Sequence, residues 1–100
     1  MRIIMKISGE ALKENSNISS NSLRKVLNEV KEIASKHEVM IVCGGGNFWR
    51  GRNDLEINNV ISDQVGMLAT VMNAISICSY FNQNGVDSSC YGSFEIPGII

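Results

Sequence analysis

Apolar residues cluster in two short runs, and each run ends in a turn that contains glycine. The first run, IIMKI at residues 3–7, is followed by Ser8-Gly9-Glu10, and the second, VMIVC at residues 39–43, leads into three glycines. Short apolar runs bounded by glycines are typical of strands that are buried on both faces, as in a parallel sheet. We therefore predict two strands, with residues 86–91 as a third, shorter and more mixed candidate.

Two helices are predicted from apolar positions spaced three and four residues apart. The first has Ser19 as its N-cap and one apolar stripe opposite a charged, solvent-facing side. The second should begin between residues 58 and 62 and end near residue 82, where Asn84-Gly85 provides a stop. Because it is apolar around most of its circumference, we expect a second buried side, which meets another subunit or a missing part of the protein.

The order strand, helix, strand is that of a βαβ unit, whose two strands lie parallel. Both glycine turns should then emerge at the same edge of the sheet, and this places Lys6 and Arg50 at a common rim. In open α/β sheets, ligands bind outside the carboxyl ends of the strands. The predicted fold class is therefore α/β, a three-layer unit with a mainly parallel sheet.

Composition narrows the functions that such a unit could serve. One hundred residues suffice for one small domain, and the net charge of −1 indicates neither a general nucleic-acid binder nor a membrane-surface binder. Three cysteines without C-x-x-C spacing favour a reduced, cytosolic compartment. We also expect no stretch long and apolar enough to span a membrane. Any phosphate site must therefore be local, built from a few placed residues.

The glycine run at residues 44–46 is the first candidate for such a site. Glycines allow a ligand to approach the main chain closely, and a nearby cation suits an anion such as phosphate. A flexible turn between strand and helix would explain the same residues. Lys6 could reach a phosphate oxygen or simply point to solvent. Asp63 could bind sugar hydroxyls, although the pattern alone favours an interaction with the helix N-terminus.

Neither glycine turn is a Walker P-loop or a G-x-G-x-x-G fingerprint. Three motifs instead resemble those of bacterial-type UMP kinases. MKISGEAL at residues 5–12 is similar to their K-[LI]-S-G-E-A-L opening, and GGGNFWRG at 44–51 is similar to their G-G-G-N-x-[FW]-R-G loop. SDQVGMLATVMNA at 62–74 is similar to their D-x-x-G-M-L-A-T-V-M-N helix. The resemblance runs over the whole chain, which is less than half as long as a typical member.

The resemblance implies the amino acid kinase fold and ATP-dependent phosphorylation of UMP to UDP, with Mg²⁺, in pyrimidine nucleotide biosynthesis. It also implies a cytoplasmic homo-oligomer whose subunits pair through the helix at residues 63–81. By motif position, Lys6, Ser8 and Gly9 would hold phosphates around the transferring group, and Lys6 is the one catalytic residue we assign. Gly46 and Arg50 would bind the ATP side; Gly45 would contact UMP and Asp63 its ribose. We assign no metal ligand.

We expect residues 1–100 to be the N-terminal part of a single amino acid kinase domain whose C-terminal half is absent. Such a chain should not phosphorylate UMP unaided, because most of the family's adenine-binding region and its second UMP loop lie beyond it. Two alternatives stay open. The chain could belong to another amino acid kinase, acting on aspartate, acetylglutamate or carbamate, or it could be a non-catalytic nucleotide-binding or assembly module.

Overall fold

The chain is described by a computed structural model that covers residues 1–15, 17–49, 58–92 and 95–100. Strand β1 (Arg2–Ile7) leads through a short 3-10 turn (Gly9–Leu12) to helix α1 (Ser20–Ala34). Strand β2 (Glu38–Cys43) follows, and helix α2 (Asn59–Gln83) is the last regular element of the described residues. Both predicted helices and the first two predicted strands are confirmed.

The two strands form a parallel sheet with a simple register. Arg2 pairs with Glu38 at one end and Ile7 with Cys43 at the other, so both strands end at the same edge. This arrangement confirms the βαβ unit. An exposed ion pair joins the strand beginnings, with Arg2 Nε 2.8 Å from Glu38 Oε2. Exposed pairs of this kind contribute little stability, so the packing of the apolar face holds the sheet to its helices.

Helix α1 begins where the sequence predicts. The main-chain N–H of Ser22 donates to Ser19 Oγ at 3.0 Å, which confirms Ser19 as the N-cap. The apolar stripe of α1 enters a core that includes residues from β1, the 3-10 turn and α2; its buried members are Ile7, Leu12, Val26, Leu27, Val30, Ile77 and Phe81. One face of the sheet is therefore covered by both helices.

Helix α2 also has the predicted boundaries. The Asn58 side chain accepts from Ile61 N at 2.9 Å at its start, and Gly85 follows its end with a φ of 85°, a left-handed conformation that suits glycine. One side packs on β2 and α1. The other side leaves large apolar residues exposed to solvent, namely Val60, Ile61, Met67, Leu68 and Met72. The broad apolar surface expected for this helix is confirmed.

The expectation that no stretch could span a membrane is wrong for α2 by length and composition. Its 25 residues are long and apolar enough to do so. Its contacts explain one side of this apolar sequence, because α2 packs on both β2 and α1 and buries Asn73 against the loop that follows β2. The apolar residues of its other side stay exposed.

The third predicted strand is wrong: no strand forms at residues 86–92. The Asn82 side chain instead binds the main chain of Ser88, accepting from its N–H at 2.7 Å and donating to its carbonyl at 3.1 Å. Residues 87–91 face β2 across a groove of about 450 Å³ whose floor is α2. A strand forms only where its main chain can pair with that of a neighbouring strand. Because the groove separates this segment from β2, the described residues offer it no such neighbour.

The α/β class with a parallel sheet is confirmed, and the described residues make up two of the three predicted layers. The face of the sheet opposite the helices stays open. Ile4 on β1 and its register partner Met40 on β2 are 71% and 63% exposed there, beside Val42. Strands of all-parallel sheets are ordinarily covered on both faces, so this apolar face is suited to a second layer.

Candidate functional site

The candidate site begins at the carboxyl ends of β1 and β2, where the two glycine turns touch. Gly9 is buried, and a Cβ added to it would lie against Gly46 N and 2.7 Å from Asn47 N. Contacts this short leave no space for a side chain at residue 9. The Ser8-Gly9 turn therefore packs directly on the loop formed by residues 44–49, which we call the glycine loop, and the predicted common edge is confirmed.

Main-chain hydrogen bonds fix the two ends of the glycine loop. Gly44 N donates to Ile7 O at 2.9 Å, while Phe48 N and Trp49 N both donate to Gly45 O, at 3.0 and 2.9 Å. Within the described residues, the N–H groups of Gly45, Gly46 and Asn47 donate to no acceptor. Consecutive free N–H groups in a turn are the donor set with which main chains bind anions.

Packing, and not only ligand approach, explains two of the glycines. A Cβ at Gly45 would lie 2.8 Å from Ala69 Cβ and 3.1 Å from Thr70 N, both in α2. At Gly44 the nearest atom would be 3.5 Å away, an ordinary contact. The sequence-based interpretations of the glycine run, ligand approach or a flexible turn, therefore left out a packing requirement at Gly45, and Gly9 has one as well.

A buried pair of asparagines ties the glycine loop to α2. Asn73 is 0% exposed and Asn47 is 4% exposed. Their amides bind each other reciprocally: Asn73 Nδ2 donates to Asn47 Oδ1 at 2.6 Å, and Asn47 Nδ2 donates to Asn73 Oδ1 at 3.0 Å. Asn73 Nδ2 also donates to Gly44 O at 2.7 Å, and Asn47 Nδ2 to Asn17 O at 2.5 Å. The pair thus joins three segments of the chain.

Trp49 forms a second link to α2. Its Nε1 donates to Ser62 Oγ at 3.1 Å, and its ring faces Gly66 one turn further along. Asp63 directly follows Ser62, so this link holds the start of α2, and Asp63 with it, to the end of the glycine loop. Asp63 is exposed and lies beyond the first turn of α2, which contains no acid. A charge there gains little from the helix N-terminus, because that effect falls off within the first turn.

Lys6 lies at the same edge but on the open face of the sheet. It is exposed, its register partner is Val42, and the part of the chain that the structure describes offers it no carboxylate partner. Lys6, Ser8, Gly9 and residues 44–46 are thus brought together. Arg50 lies outside the described residues, so the predicted common rim of Lys6 and Arg50 stays a prediction.

Comparison with known proteins identifies the family to which this arrangement belongs. The profile of the amino acid kinase family matches residues 1–97. The chain belongs to the amino acid kinase family. It is 43% identical over 101 residues to the uridylate kinase of Ruthia magnifica subsp. Calyptogena magnifica, an alignment that covers 97% of this chain and 42% of that protein. It is 37% identical to the uridylate kinase of Malacoplasma penetrans, an alignment that covers 97% of this chain and 32% of that protein.

Solved structures confirm the amino acid kinase fold. The crystal structure of the UMP kinase from Ureaplasma parvum is similar with a TM-score of 0.93 and 31% identity, over 99% of this chain and 45% of that one. The crystal structure of the UMP kinase from Bacillus anthracis is similar with a TM-score of 0.76 and 32% identity, over 82% of this chain and 36% of that one. The predicted resemblance to UMP kinases is confirmed. The chain spans less than half the length of the relatives it matches.

The described part of this amino acid kinase chain offers no cage for a metal ion. It contains no group of three His, Cys, Asp or Glu side chains that could hold one. Cys43 is half-buried beside the loop, its thiol donates weakly to Thr70 O at 3.6 Å, and burial raises its pKa above the usual 9.0. A thiol held neutral in this way is a packing residue, not an activated nucleophile.

Sequence reasoning missed four residues of the site: Asn47, Trp49, Ser62 and Asn73. The signal for Asn73 was present, because it interrupts an otherwise apolar row spaced by four residues, Ala69-Asn73-Ile77-Phe81, all of which are buried. A polar residue in such a row must find a partner, since an unsatisfied buried amide is costly. Asn47, the one buried polar residue in the described part of the glycine loop, is that partner.

Proposed function

We propose that this chain supplies one half of the active site of a UMP kinase, which transfers the γ-phosphate of ATP to UMP to give UDP in pyrimidine nucleotide biosynthesis. One observation carries the proposal. The turn after β1 packs on the glycine loop after β2, and the N–H groups of Gly45, Gly46 and Asn47 stay without acceptors among the described residues, at the edge where Lys6 lies.

This donor set suits the chemistry. Phosphoryl transfer asks a protein mainly to position its substrates and to stabilise charge on the phosphate oxygens. A lysine about 4 Å from a phosphate oxygen contributes roughly 4 kcal/mol at an effective dielectric near 20. Enzymes typically lower barriers by about 8 kcal/mol or more, so one lysine and a few amides make only part of a site. We therefore propose that the chain does not turn over UMP by itself.

Each residue predicted from the motifs keeps its proposed role. Lys6, Ser8 and Gly9 hold phosphates around the transferring group, Gly46 and Arg50 bind the ATP side, and Gly45 contacts UMP. The exposed carboxylate of Asp63 accepts hydrogen bonds from the ribose hydroxyls of UMP. The Trp49–Ser62 hydrogen bond supports this assignment, because it holds the start of α2 to the loop that binds the phosphates.

ATP and Mg²⁺ are part of the proposal, although the described residues do not form a metal cage. Mg²⁺ is commonly held by substrate phosphates together with one or two carboxylates, so we assign it no ligand in this chain and route no step through it. The three free thiols support the proposed cytoplasmic location, where thiols stay reduced.

We also propose that two copies pair through residues 63–81. The exposed apolar side of α2 supports this, with Met67, Leu68 and Met72 each about half exposed. A contiguous apolar surface of this kind favours association, because water is released when it is covered. An assembly role without catalysis would use the same surface, so the oligomeric state alone does not distinguish the two functions.

The decisive experiment joins this chain, after Ile100, to the part of the Ruthia magnifica uridylate kinase that follows its matched residues. We expect UMP-dependent ADP release by the joined protein and none by the 100-residue chain. Lys6→Ala should abolish the activity, whereas Lys36→Ala, which changes an exposed lysine after α1 near the opposite edge of the sheet, should not.

Three outcomes would contradict the proposal. Turnover by the 100-residue chain alone would refute the half-site assignment. A joined protein that folds but releases ADP only with aspartate, acetylglutamate or carbamate would identify another member of the family. A joined protein that folds and binds neither UMP nor ATP, yet still pairs with itself, would favour the assembly role.

A further inference from the structure

We propose that Asn73 is a positioning residue: paired with Asn47, it holds the glycine loop in the shape that leaves the N–H groups of residues 45–47 free for phosphate. This role rests on the proposed binding of phosphate by that loop. It assigns a function to a residue of α2 that would itself touch no substrate. The role follows from the complete use of the donors of the amide pair, the lack of main-chain hydrogen bonds from the inner N–H groups of the loop, and the position of Asn73 on α2.

Every N–H of the amide pair is used, and each amide oxygen accepts a hydrogen bond. Each Nδ2 group has two hydrogens, and the four hydrogen bonds of the pair use all of them: Asn73 donates to Gly44 O and Asn47 Oδ1, and Asn47 donates to Asn73 Oδ1 and Asn17 O. Buried amides satisfied in this way specify one geometry, because any rotation leaves a polar group without a partner. The pair therefore acts as a rigid connector.

Close packing apart, the middle of the glycine loop has few other hydrogen bonds to hold it. Its main-chain bonds lie at its ends, at Gly44 and at the turn that Gly45 O closes with Phe48 and Trp49. A loop whose inner N–H groups bound protein carbonyls would be more rigid, but those groups would no longer be free for an anion. The Asn47–Asn73 pair resolves this conflict, because it holds the loop through side chains and the Gly44 carbonyl and uses no inner N–H group.

The position of Asn73 adds a second consequence. It lies on the same continuous helix as Asp63, ten residues further along, and both ends of that span are tied to the glycine loop, through Trp49–Ser62 and Asn47–Asn73. In the proposed enzyme, α2 would therefore fix the distance between the acid that binds the UMP ribose and the amides that bind phosphate. Misplacement of about 1 Å is enough to cost large factors in rate.

The test compares Asn73→Ala with a matched control on the same helix. Asn82 also uses its side-chain amide to hold a main-chain segment by two hydrogen bonds, but at Ser88, at the far end of α2. On the full 100-residue chain, ¹⁵N relaxation reports the order of the Gly45 and Gly46 amides, and calorimetric titration with inorganic tripolyphosphate reports anion affinity. Urea unfolding followed by Trp49 fluorescence reports stability.

We expect Asn73→Ala to lower the amide order parameters of residues 45–46 and to weaken tripolyphosphate binding by about tenfold or more, while Asn82→Ala changes neither. Asn47→Ala is the second variant, in case Asn73→Ala does not fold. If the two asparagines act as one unit, Asn47→Ala and the double variant should lose the same affinity as Asn73→Ala.

Each opposite result overturns a specific statement. Unchanged order parameters in both folded single variants would refute the positioning role, whatever the anion affinity. An equal loss of affinity in Asn82→Ala would show that general destabilisation is the cause. Failure of the unsubstituted chain to bind tripolyphosphate would refute the phosphate role of the loop and, with it, the purpose that we assign to the pair.

Discussion

Alanine substitutions at three glycines separate packing from ligand approach at the candidate site. Gly9, Gly44 and Gly45 lie within one small region, and among the described glycines only Gly85 and Gly98 have a positive φ. An alanine at any of the three is therefore free of the strain that left-handed backbone imposes, and its effect depends on what the new Cβ meets. The structure predicts three different outcomes.

Gly45→Ala should destabilise the fold. Its Cβ would lie 2.8 Å from Ala69 Cβ and 3.1 and 3.2 Å from main-chain atoms of α2, so a helix or the loop must move. Inserting a methyl into such a site costs about 1–3 kcal/mol, and the reduced freedom of the unfolded chain returns about 0.4–1 kcal/mol. The net expectation is a loss of about 1–2 kcal/mol.

The other two substitutions bracket this value. At Gly44 the nearest contact would be 3.5 Å, so only the unfolded-state term acts, and stability should stay the same or rise by up to about 1 kcal/mol. At Gly9 the Cβ would meet main-chain N atoms of Gly46 and Asn47, which cannot rotate away as a side chain could. Gly9→Ala should therefore cost about 3 kcal/mol or more.

Urea unfolding measures all three effects, with the fluorescence of Trp49, the single tryptophan of the chain, as the signal. The expected order of stability is Gly44→Ala, then the unsubstituted chain, then Gly45→Ala, then Gly9→Ala. If Gly44→Ala were as destabilising as Gly45→Ala, the contact geometry would not be the cause and the reasoning would be refuted. The same would follow if Gly45→Ala were neutral.

Three further predictions concern the helices and the buried thiol. Ser19→Ala should lower the stability by about 1 kcal/mol through loss of the α1 N-cap, measured by urea unfolding, whereas Ser20→Ala, one residue further, should have little effect. Met72→Glu should dissociate the proposed dimer, and light scattering that shows an unchanged mass would contradict pairing through α2. Burial raises the pKa of the Cys43 thiol, because the folded protein disfavours the thiolate. The stability that the neutral thiol contributes is therefore fully present below the usual pKa of 9.0 and is lost as the pH rises through the higher pKa of the folded state. Thermal unfolding at pH 7.5 and 10 should therefore show a drop at high pH that is smaller in Cys43→Ala.

The elements that sequence reasoning predicted well are those that local pattern determines. The stripe of α1, the cap at Ser19 and the stop at Gly85 all depend on residues within a few positions of one another. The parallel pairing of β1 and β2 follows from the short strand–helix–strand connection, since such units have one favoured arrangement. Here local rules were enough to bring Ser8, Gly9 and the glycine loop to one edge.

The features that were missed depend on contacts between distant parts of the chain. Residues 86–91 have a strand-like composition, but a strand exists only with a paired neighbour, and the groove beside β2 separates the two edges. The helical pattern around Asn73 does not reveal its role, because its partner lies 26 residues earlier in the sequence. The requirement for glycine at residue 45 comes from Ala69, which no local pattern connects to the loop.

Close packing and ligand approach both require glycine at this site, and they coincide for a physical reason. A loop that exposes consecutive N–H groups to an anion must give up main-chain bonds in its middle, so it has to be held from outside. Close approach of Gly45 to α2 and of Gly9 to the loop supplies part of that restraint, and the Asn47–Asn73 pair supplies the rest. Packing and ligand binding are therefore not competing explanations of the motif. The tight packing around the loop is what allows its inner amides to stay without protein acceptors.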